Sequence, residues 1–283
     1  MTGEARIPVR TLLLTGLLVV AAVLVIFRPL DALGESYLDS AFKRAMVSFA
    51  VARGLNGVIS VAQGTEFAVQ PAGVGINFAP GEILDPVNDL VERFSWVMLM
   101  AGSSLGAQKV LLTMSGWGGV TLLVLVMLAL YLASLWWQQR TLAESRQWIG
   151  RALVFLLVLR LAVPVTALLN EWSYRTFLDA QYSAASAELE AASDKIRSVN
   201  AETQPPVVDG EAEPGMADKL RRLYESAVSQ VDFEEKLERY KAAAETISEN
   251  AVNMIVVFVL QTIVFPLGFF WLVVTVFRRL FTF

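Results

Sequence analysis

The stretch LDAQYSAASAELEAASDKIRSV, residues 178–199, repeats apolar residues at alternating steps of four and three. A second stretch of the same length, residues 233–254, has this spacing and continues into a long apolar run. Heptad spacing is typical of two helices that bury a common stripe. The two seams consist of Leu178, Tyr182, Ala185, Leu189, Ala192, Ile196 and Val199, and of Phe233, Leu237, Tyr240, Ala244, Ile247, Ala251 and Met254. We therefore predict an antiparallel coiled-coil hairpin, since a short return is the simplest link between consecutive helices.

Two other uses of the seams stay open. Each helix could pack on the earlier part of the chain instead, or the seam could join two copies of the protein. Between the seams, residues 200–215 are rich in proline and acidic residues and are predicted to form a loop. A short helix is expected over 216–230, followed by a break at Asp232, where Asp232 and Glu235 match a capping box that restarts the helix.

Composition places much of this chain in a membrane. Of its 283 residues, 55% are hydrophobic, and the mean hydropathy of +0.53 is high for a soluble domain. The chain has no cysteine and no histidine, which excludes disulfides, Cys/His zinc sites, thiol nucleophiles and histidine acid–base chemistry. Phosphate-binding and dinucleotide motifs are also lacking, as is a basic patch for nucleic acid. We accordingly expect no catalytic residue, no cofactor, no metal and no nucleic-acid partner.

Four apolar runs are each long enough to cross a bilayer, which takes about 20 helical residues. Basic residues cluster beside one set of span ends, whereas residues 171–250 hold nine Lys/Arg against seventeen Asp/Glu. The positive-inside rule then puts both termini in the cytoplasm. The first run could instead be a signal peptide, but Arg28-Pro29 stands where a small-residue cleavage site is needed. The predicted order is a cytoplasmic N-terminus (1–10), a transmembrane helix (11–27), an extracytoplasmic or interfacial helical segment (28–116), a transmembrane helix (117–137), a cytoplasmic loop (138–148), a transmembrane helix (149–169), the extracytoplasmic coiled-coil hairpin (170–250), a transmembrane helix (251–276) and a cytoplasmic C-terminus (277–283).

The segment 28–116 is predicted to be mainly helical. A helix is expected over 37–62, with Leu38, Ala45 and Ala52 on its apolar stripe. The runs TEFAVQ and VGINFA flank a Pro-Ala-Gly turn and could pair as a small β-hairpin. Asp85-Pro86 starts another helix, and we expect a re-entrant or interfacial helical hairpin that ends at Gly116.

Three carboxylates at the start of that helix, Asp85, Asp89 and Glu92, share helical spacing. Paired carboxylates serve hydrolytic acid–base chemistry. An N-cap, a favourable interaction with the helix dipole and a solvated face account for all three residues without catalysis. We favour this structural interpretation.

Arg160 lies near the middle of the third predicted span, where an unpaired charge costs at least a few kcal/mol. Its predicted partners are Gln261 and Thr262 in the fourth span, carbonyls freed near Pro164 or Pro266, or Glu92 if the outside helix dips inward. A hydrogen-bonded clamp between helices and an ion or solute path both fit this residue, and we slightly favour the clamp.

These observations favour a mostly α-helical, four-span protein of a bacterial inner (cytoplasmic) membrane. We expect a non-enzymatic structural or interaction component of the cell envelope, with the lipid bilayer and a protein partner, or a second copy, as its contacts. The alternative is an oligomeric channel or transport subunit with Arg160 in or near the path. Arg160, Gln261 and Thr262 form the candidate intramembrane polar site.

Overall fold

A computed structural model describes residues 9–64, 67–69, 76–78, 83–136, 140–203 and 216–281. Within these ranges the chain is almost entirely helical, in agreement with the predicted mostly-α class. The elements are α1 (Val9–Phe27), α2 (Pro29–Gln63), β1 (Phe67–Val69), β2 (Ile76–Phe78), α3 (Asp85–Ser115), α4 (Gly118–Trp136), α5 (Arg140–Ser173), a π-helical turn (Tyr174–Leu178), α6 (Asp179–Thr203), α7 (Met216–Val259), a second π-helical turn (Leu260–Val264) and α8 (Phe265–Phe281).

Five helical stretches among the described residues are long and apolar enough to cross a membrane. They are Pro29–Gln63, Asp85–Ser115, Gly118–Trp136, Ser145–Ala201 and Glu235–Thr275, and Thr11–Phe27 is a shorter apolar helix. This set of helices indicates a multi-pass membrane protein. The number of crossings stays a prediction, because α2 and α3 lie in the segment that the sequence pattern places outside the bilayer.

Two predicted interruptions are wrong. The re-entrant helical hairpin before Gly116 is absent, because α3 is one helix of 31 residues. The break at Asp232 is also absent, since α7 runs for 44 residues from Met216. The backbone of α7 contains neither proline nor glycine, so a shift in the phase of the apolar pattern does not stop the helix. The start of α2 also differs from the prediction, since the helix begins at Pro29, eight residues earlier than expected. Proline is favoured in the first position of a helix, because its missing amide hydrogen is not needed there.

The two strands are three residues long and pair antiparallel, with Phe67 opposite Phe78 and Val69 opposite Ile76. They lie within the two runs for which extended structure is predicted. Residues 70–75, which hold the predicted turn, lie outside the described residues.

The chain divides into two compact units. The first comprises residues 1–43, 102–176 and 260–283, and the second comprises 44–101 and 177–259. In the first unit, Leu18, Leu128 and Leu153 form an apolar cluster that joins α1, α4 and α5. The N-terminal part of α2 also approaches α5 closely, since a Cβ added at Gly34 would lie 3.5 Å from the Cα of Pro164.

In the second unit, α6 packs on α7 along the two predicted seams. Leu189 and Ile196 of α6 and Ile247 of α7 are completely buried. The aromatic rings of Tyr182 and Phe258 meet edge to face, with centroids 6.1 Å apart. This burial agrees with the heptad spacing, whereas the supercoiled geometry and the extracytoplasmic position of the pair stay predictions.

A buried polar contact adds to this apolar seam. The hydroxyl of Tyr240 donates a hydrogen bond of 2.7 Å to Oδ1 of Asn200. The Asn200 amide in turn donates to the carbonyl of Val58 in α2, at 3.2 Å. In the second unit, therefore, α6 contacts both α7 and part of the segment 28–116, so two of the packing arrangements considered from the sequence coexist.

Candidate functional site

Arg160 is the buried cation of the first unit. Its side chain is 1% exposed and forms an ion pair with Asp31 at the start of α2. Nη1 donates to Oδ1 at 2.8 Å, and Nη2 donates to Oδ2. A planar guanidinium that meets both carboxylate oxygens is the strongest form of this contact. Arg160 therefore links α5 to α2 through its charge.

The sequence pattern does not predict Asp31 as a partner of Arg160, because Asp31 follows the first apolar run and falls in the predicted outside segment. A signal was nevertheless present in the sequence. Asp31 lies seven residues before Leu38 and fourteen before Ala45, so it occupies the stripe that α2 buries. A carboxylate on a buried stripe needs a cationic partner.

A break between α1 and α2 positions Asp31. Arg28 adopts a left-handed backbone conformation with φ of 53°, which is uncommon for a residue other than glycine. Its carbonyl accepts hydrogen bonds from the amides of Asp31 and Ala32 at 3.2 and 3.3 Å, so it begins α2 directly. Asp31 thus lies in the first turn of α2, where the helix dipole favours a negative charge.

A second break, between α3 and α4, lies beside the same carboxylate. The helix ends at Ser115, and a Cβ added at Gly116 would lie 3.3 Å from Oδ2 of Asp31. The carbonyl of Trp117 then accepts a hydrogen bond of 3.1 Å from the amide of Thr121, and this bond begins α4. The side chain of Arg28 donates to the hydroxyl of Thr121 at 3.3 Å, which connects the two breaks.

These breaks enclose a polar cavity of about 410 Å³. Its charged lining residues are Arg28, Asp31, Glu35 and Lys109, of which Lys109 also forms an ion pair with Asp39 at 2.5 Å. Apolar and small residues complete the lining, namely Phe27, Ala32, Leu112, Thr113 and Gly116. Interrupted helices that present charged groups to a cavity are a common basis of solute sites in membrane proteins.

Gln261 and Thr262 are both buried and lie in the π-helical turn before α8. The Gln261 amide donates to the hydroxyl of Tyr37 at 2.8 Å, so it links this turn to α2. Within the described residues its Oε1 has no hydrogen-bond partner. Gln261 therefore donates to Tyr37 and not to the predicted partner Arg160. Both Gln261 and Arg160 bind side chains of α2, namely Tyr37 and Asp31. Short π-helical turns are frequent at functional positions of helices, and apolar pattern analysis does not detect them.

Asn170 is a buried polar residue that the sequence analysis did not consider. It lies on α5, is fully inaccessible, and within the described residues neither amide atom has a hydrogen-bond partner. Buried amides usually find partners, so such a group is an exception that needs an explanation. It directly follows the third predicted span, 149–169, so its polarity alone does not mark it as buried.

The three carboxylates at the start of α3 are exposed in the second unit. Asp85 accepts a hydrogen bond from the Gln63 amide at 2.5 Å and begins the helix. Their exposure agrees with a solvated face, whereas the N-cap role of Asp85 stays a prediction.

No protein-family model, no curated protein and no solved structure matches this chain. The site geometry is therefore the basis of the functional proposal.

Proposed function

We propose that this protein is a non-enzymatic structural or interaction component of a bacterial inner membrane, with both termini in the cytoplasm. The observation that carries the proposal is the Arg160–Asp31 pair. Asp31 pairs with the buried cation in bidentate geometry, so the charge of Arg160 joins two helices and is not an unpaired charge in a solute path.

Further contacts of the first unit have the same character. Gln261 joins the second π-helical turn to α2, and Gly34 allows α2 to approach α5 at Pro164. Small residues at close approaches and polar side chains that bond across helices are the usual means of holding helices together in lipid. These contacts support a static assembly of membrane helices.

The segment 170–250 supplies the surface for a partner. It carries nine Lys/Arg against seventeen Asp/Glu, and the acidic residues Glu188, Glu190 and Asp194 are exposed on α6. We place this segment outside the cytoplasm as a coiled-coil hairpin that binds a second envelope protein or a second copy of the chain. A stiff helical pair presents such a surface at low conformational entropy cost.

Site-specific photo-crosslinking tests this proposal. A photoreactive amino acid is introduced at the exposed Ser198 of α6 and, as a control, at the exposed Trp148 of α5. We expect a discrete protein adduct from Ser198 in intact cells and none from Trp148. If exposed positions along α6 and α7 give no discrete adduct, the proposal is wrong.

Cysteine labelling tests the topology. The chain has no native cysteine, so single-cysteine variants report one position each. Ser198→Cys should react with a membrane-impermeant maleimide added outside spheroplasts, whereas Ser145→Cys should react only after lysis. The reverse pattern would place 170–250 in the cytoplasm.

A transport subunit is the second candidate, and the charged cavity between the helix breaks favours it. In this alternative, the cavity lined by Arg28, Asp31, Glu35 and Lys109 takes up a small charged solute. Ion or solute flux through reconstituted vesicles that changes in Arg160→Ala and Glu35→Gln would support transport. Flux equal to that of protein-free vesicles, together with an adduct from Ser198, would support the structural role.

A further inference from the structure

A second cavity of the first unit forms a long apolar groove between α3, α5 and the α8 end of the chain. Its volume is about 800 Å³, and its walls are almost entirely apolar. Cavities of this size and character hold small apolar or amphiphilic molecules. The groove is separate from the charged cavity, and none of the proposed functions uses it.

The polar residues of the groove are Ser104, Gln108, Thr166 and Thr262. The positions of these residues along the groove follow from the contacts that α2 makes with the three walls. Gly34 lies against Leu112 and Ala167, and Tyr37, one turn later, binds Gln261. Since Gln108, Thr166 and Thr262 each lie within about one turn of these contacts, they belong to the same end of the groove.

The opposite end is purely apolar. It is lined by Phe155 on α5 and by Phe270 and Val274 on α8. Phe155 is eleven residues before Thr166, which corresponds to about 16 Å along a helix. This length is close to half of the ~30 Å hydrocarbon core of a bilayer, that is, to one leaflet.

We propose that this groove binds one acyl chain of a membrane phospholipid, with the ester and headgroup region at the Thr166–Thr262 end. The walls belong to segments that are long and apolar enough to cross a membrane. The proposal therefore places the α3 wall in lipid as well, although the sequence pattern predicts an extracytoplasmic or interfacial position for it. An acyl chain matches the groove in length and in apolar character, and the hydroxyl and amide groups at one end can donate to ester or phosphate oxygens. The predicted topology puts this end toward the extracytoplasmic leaflet.

The shape of the groove follows from the residues that build it. Ala162 is small, and Pro266 and the π-helical turn interrupt regular helix geometry on the opposite wall. Proline and π-helical turns displace backbone from straight packing, which leaves space that neighbouring side chains do not fill. Phe155, Leu267 and Phe270 are more than half exposed along the rim, which is favourable against acyl chains.

Lipid photo-labelling tests the proposal. The intact protein is reconstituted in vesicles of phosphatidylethanolamine and phosphatidylglycerol that contain a phosphatidylcholine with a diazirine on its acyl chain. A diazirine near the methyl end should label residues near Phe155 and Phe270, and one near the carbonyl should label residues near Thr166 and Thr262. Labels spread over all exposed apolar faces, with no difference between the two probes, would overturn the proposal.

A filled groove provides the matched test. Ala162→Phe adds a ring inside the groove, whereas Leu272→Phe adds one at an exposed position of α8 outside the lining. We expect Ala162→Phe to reduce labelling of the groove by about tenfold, which corresponds to about 1.4 kcal/mol of binding, and Leu272→Phe to leave it unchanged. Equal labelling of the groove in both variants would contradict the proposal. It would also be contradicted if the unmodified protein took no lipid label in the groove and formed a dimer that Ala162→Phe dissociates, because a second copy would then occupy the groove.

Discussion

The two units of the molecule bury different kinds of side chain. The first buries an arginine, two amides, a threonine and two serines, namely Arg160, Asn170, Gln261, Thr262, Ser134 and Ser173. The second buries an alternating series of leucine, isoleucine and alanine between α6 and α7, and its buried polar residues are limited, within the described residues, to three serines and Asn200. Charged and amide side chains are buried beside the apolar cluster of the first unit, whereas the α6–α7 interface of the second unit is mainly an apolar seam.

We propose that the first unit lies mostly in lipid and the second mostly in water, and this difference in buried side chains is what those solvents would favour. In water, burial of apolar surface stabilises a helix pair by about 25 cal/mol per Å². In lipid, an apolar side chain gains little by leaving the surrounding acyl chains, so close packing and polar contacts hold helices together. The predictions below test whether the two cores respond to substitution as these solvents require.

The largest effect is expected for Leu189→Asp in the second unit. Leu189 is fully buried in the seam, and an unpaired carboxylate there should cost about 4 kcal/mol or more. Thermal unfolding of the detergent-solubilised protein, followed by circular dichroism and by proteolysis of α6, measures this loss. Ala191→Asp adds the same charge at an exposed position of α6 and should melt like the parent. Equal melting of both variants would show that the seam is not a core.

The next effect is expected for Arg160→Met in the first unit. This change leaves Asp31, whose side chain is 17% exposed, without its cation, and should cost about 3 kcal/mol. The double variant Arg160→Met with Asp31→Leu removes both charges and should recover most of the loss, because an apolar pair of similar size is tolerated in place of a buried ion pair. The thermal midpoint in detergent reports both changes. A double variant as unstable as the single one would contradict the clamp.

A matched pair of tyrosines compares the two units directly. Tyr240→Phe leaves Oδ1 of Asn200 without its donor in the second unit, at an expected cost of about 1.5 kcal/mol. Tyr37→Phe removes the acceptor of the Gln261 amide in the first unit, where cross-helix hydrogen bonds in membranes average about 0.6 kcal/mol. Denaturation of the two variants in one detergent measures the difference. A larger loss for Tyr37→Phe would reverse the assignment of solvents.

The smallest effect is expected for an ion pair on the surface of α7. Arg239 contacts Glu235 one turn earlier, at 2.6 Å, and both side chains are at least one third exposed. Arg239→Ala should cost at most about 0.5 kcal/mol, because water and side-chain entropy offset an exposed pair. The same unfolding assay measures it against Arg160→Met. A loss comparable to that of Arg160→Met would mean that α7 is not solvated there.

Much of the fold is encoded locally. The seams of α6 and α7 were visible as a period, and their buried residues agree with it. The predicted hairpin within 85–116 and the predicted break at Asp232 are wrong. The first relies on polar residues within an apolar run and the second on a phase shift with a capping box, whereas a helix backbone stops only where its hydrogen bonds or dihedral angles fail. The breaks at Arg28 and at Gly116–Trp117 fall at the predicted segment boundaries 27/28 and 116/117. The sequence does not predict the left-handed conformation of Arg28, because such a conformation is usually adopted by glycine.

The candidate site was predictable in part. Arg160 was found because a charge in an apolar run is conspicuous, but its partner was not found, since Asp31 is 129 residues away in sequence. Gln261 was identified as polar and intramembrane, yet the partner it meets is Tyr37. The sequence gives no comparable signal for Asn170, because it follows the third predicted span, 149–169, and falls at the start of the predicted outside segment.

By itself, the sequence determined the helical class, the apolar runs and the two heptad seams, because these depend on the order and period of side chains along one helix. Only the tertiary structure decided that Asp31 neutralises Arg160, that two helix breaks share one charged cavity, and that α3, α5 and α8 leave a groove. These features depend on which helices become neighbours. That choice is made by close approaches such as Gly34 against Pro164, whose energies come from pairs of distant residues and leave no periodic pattern in the chain.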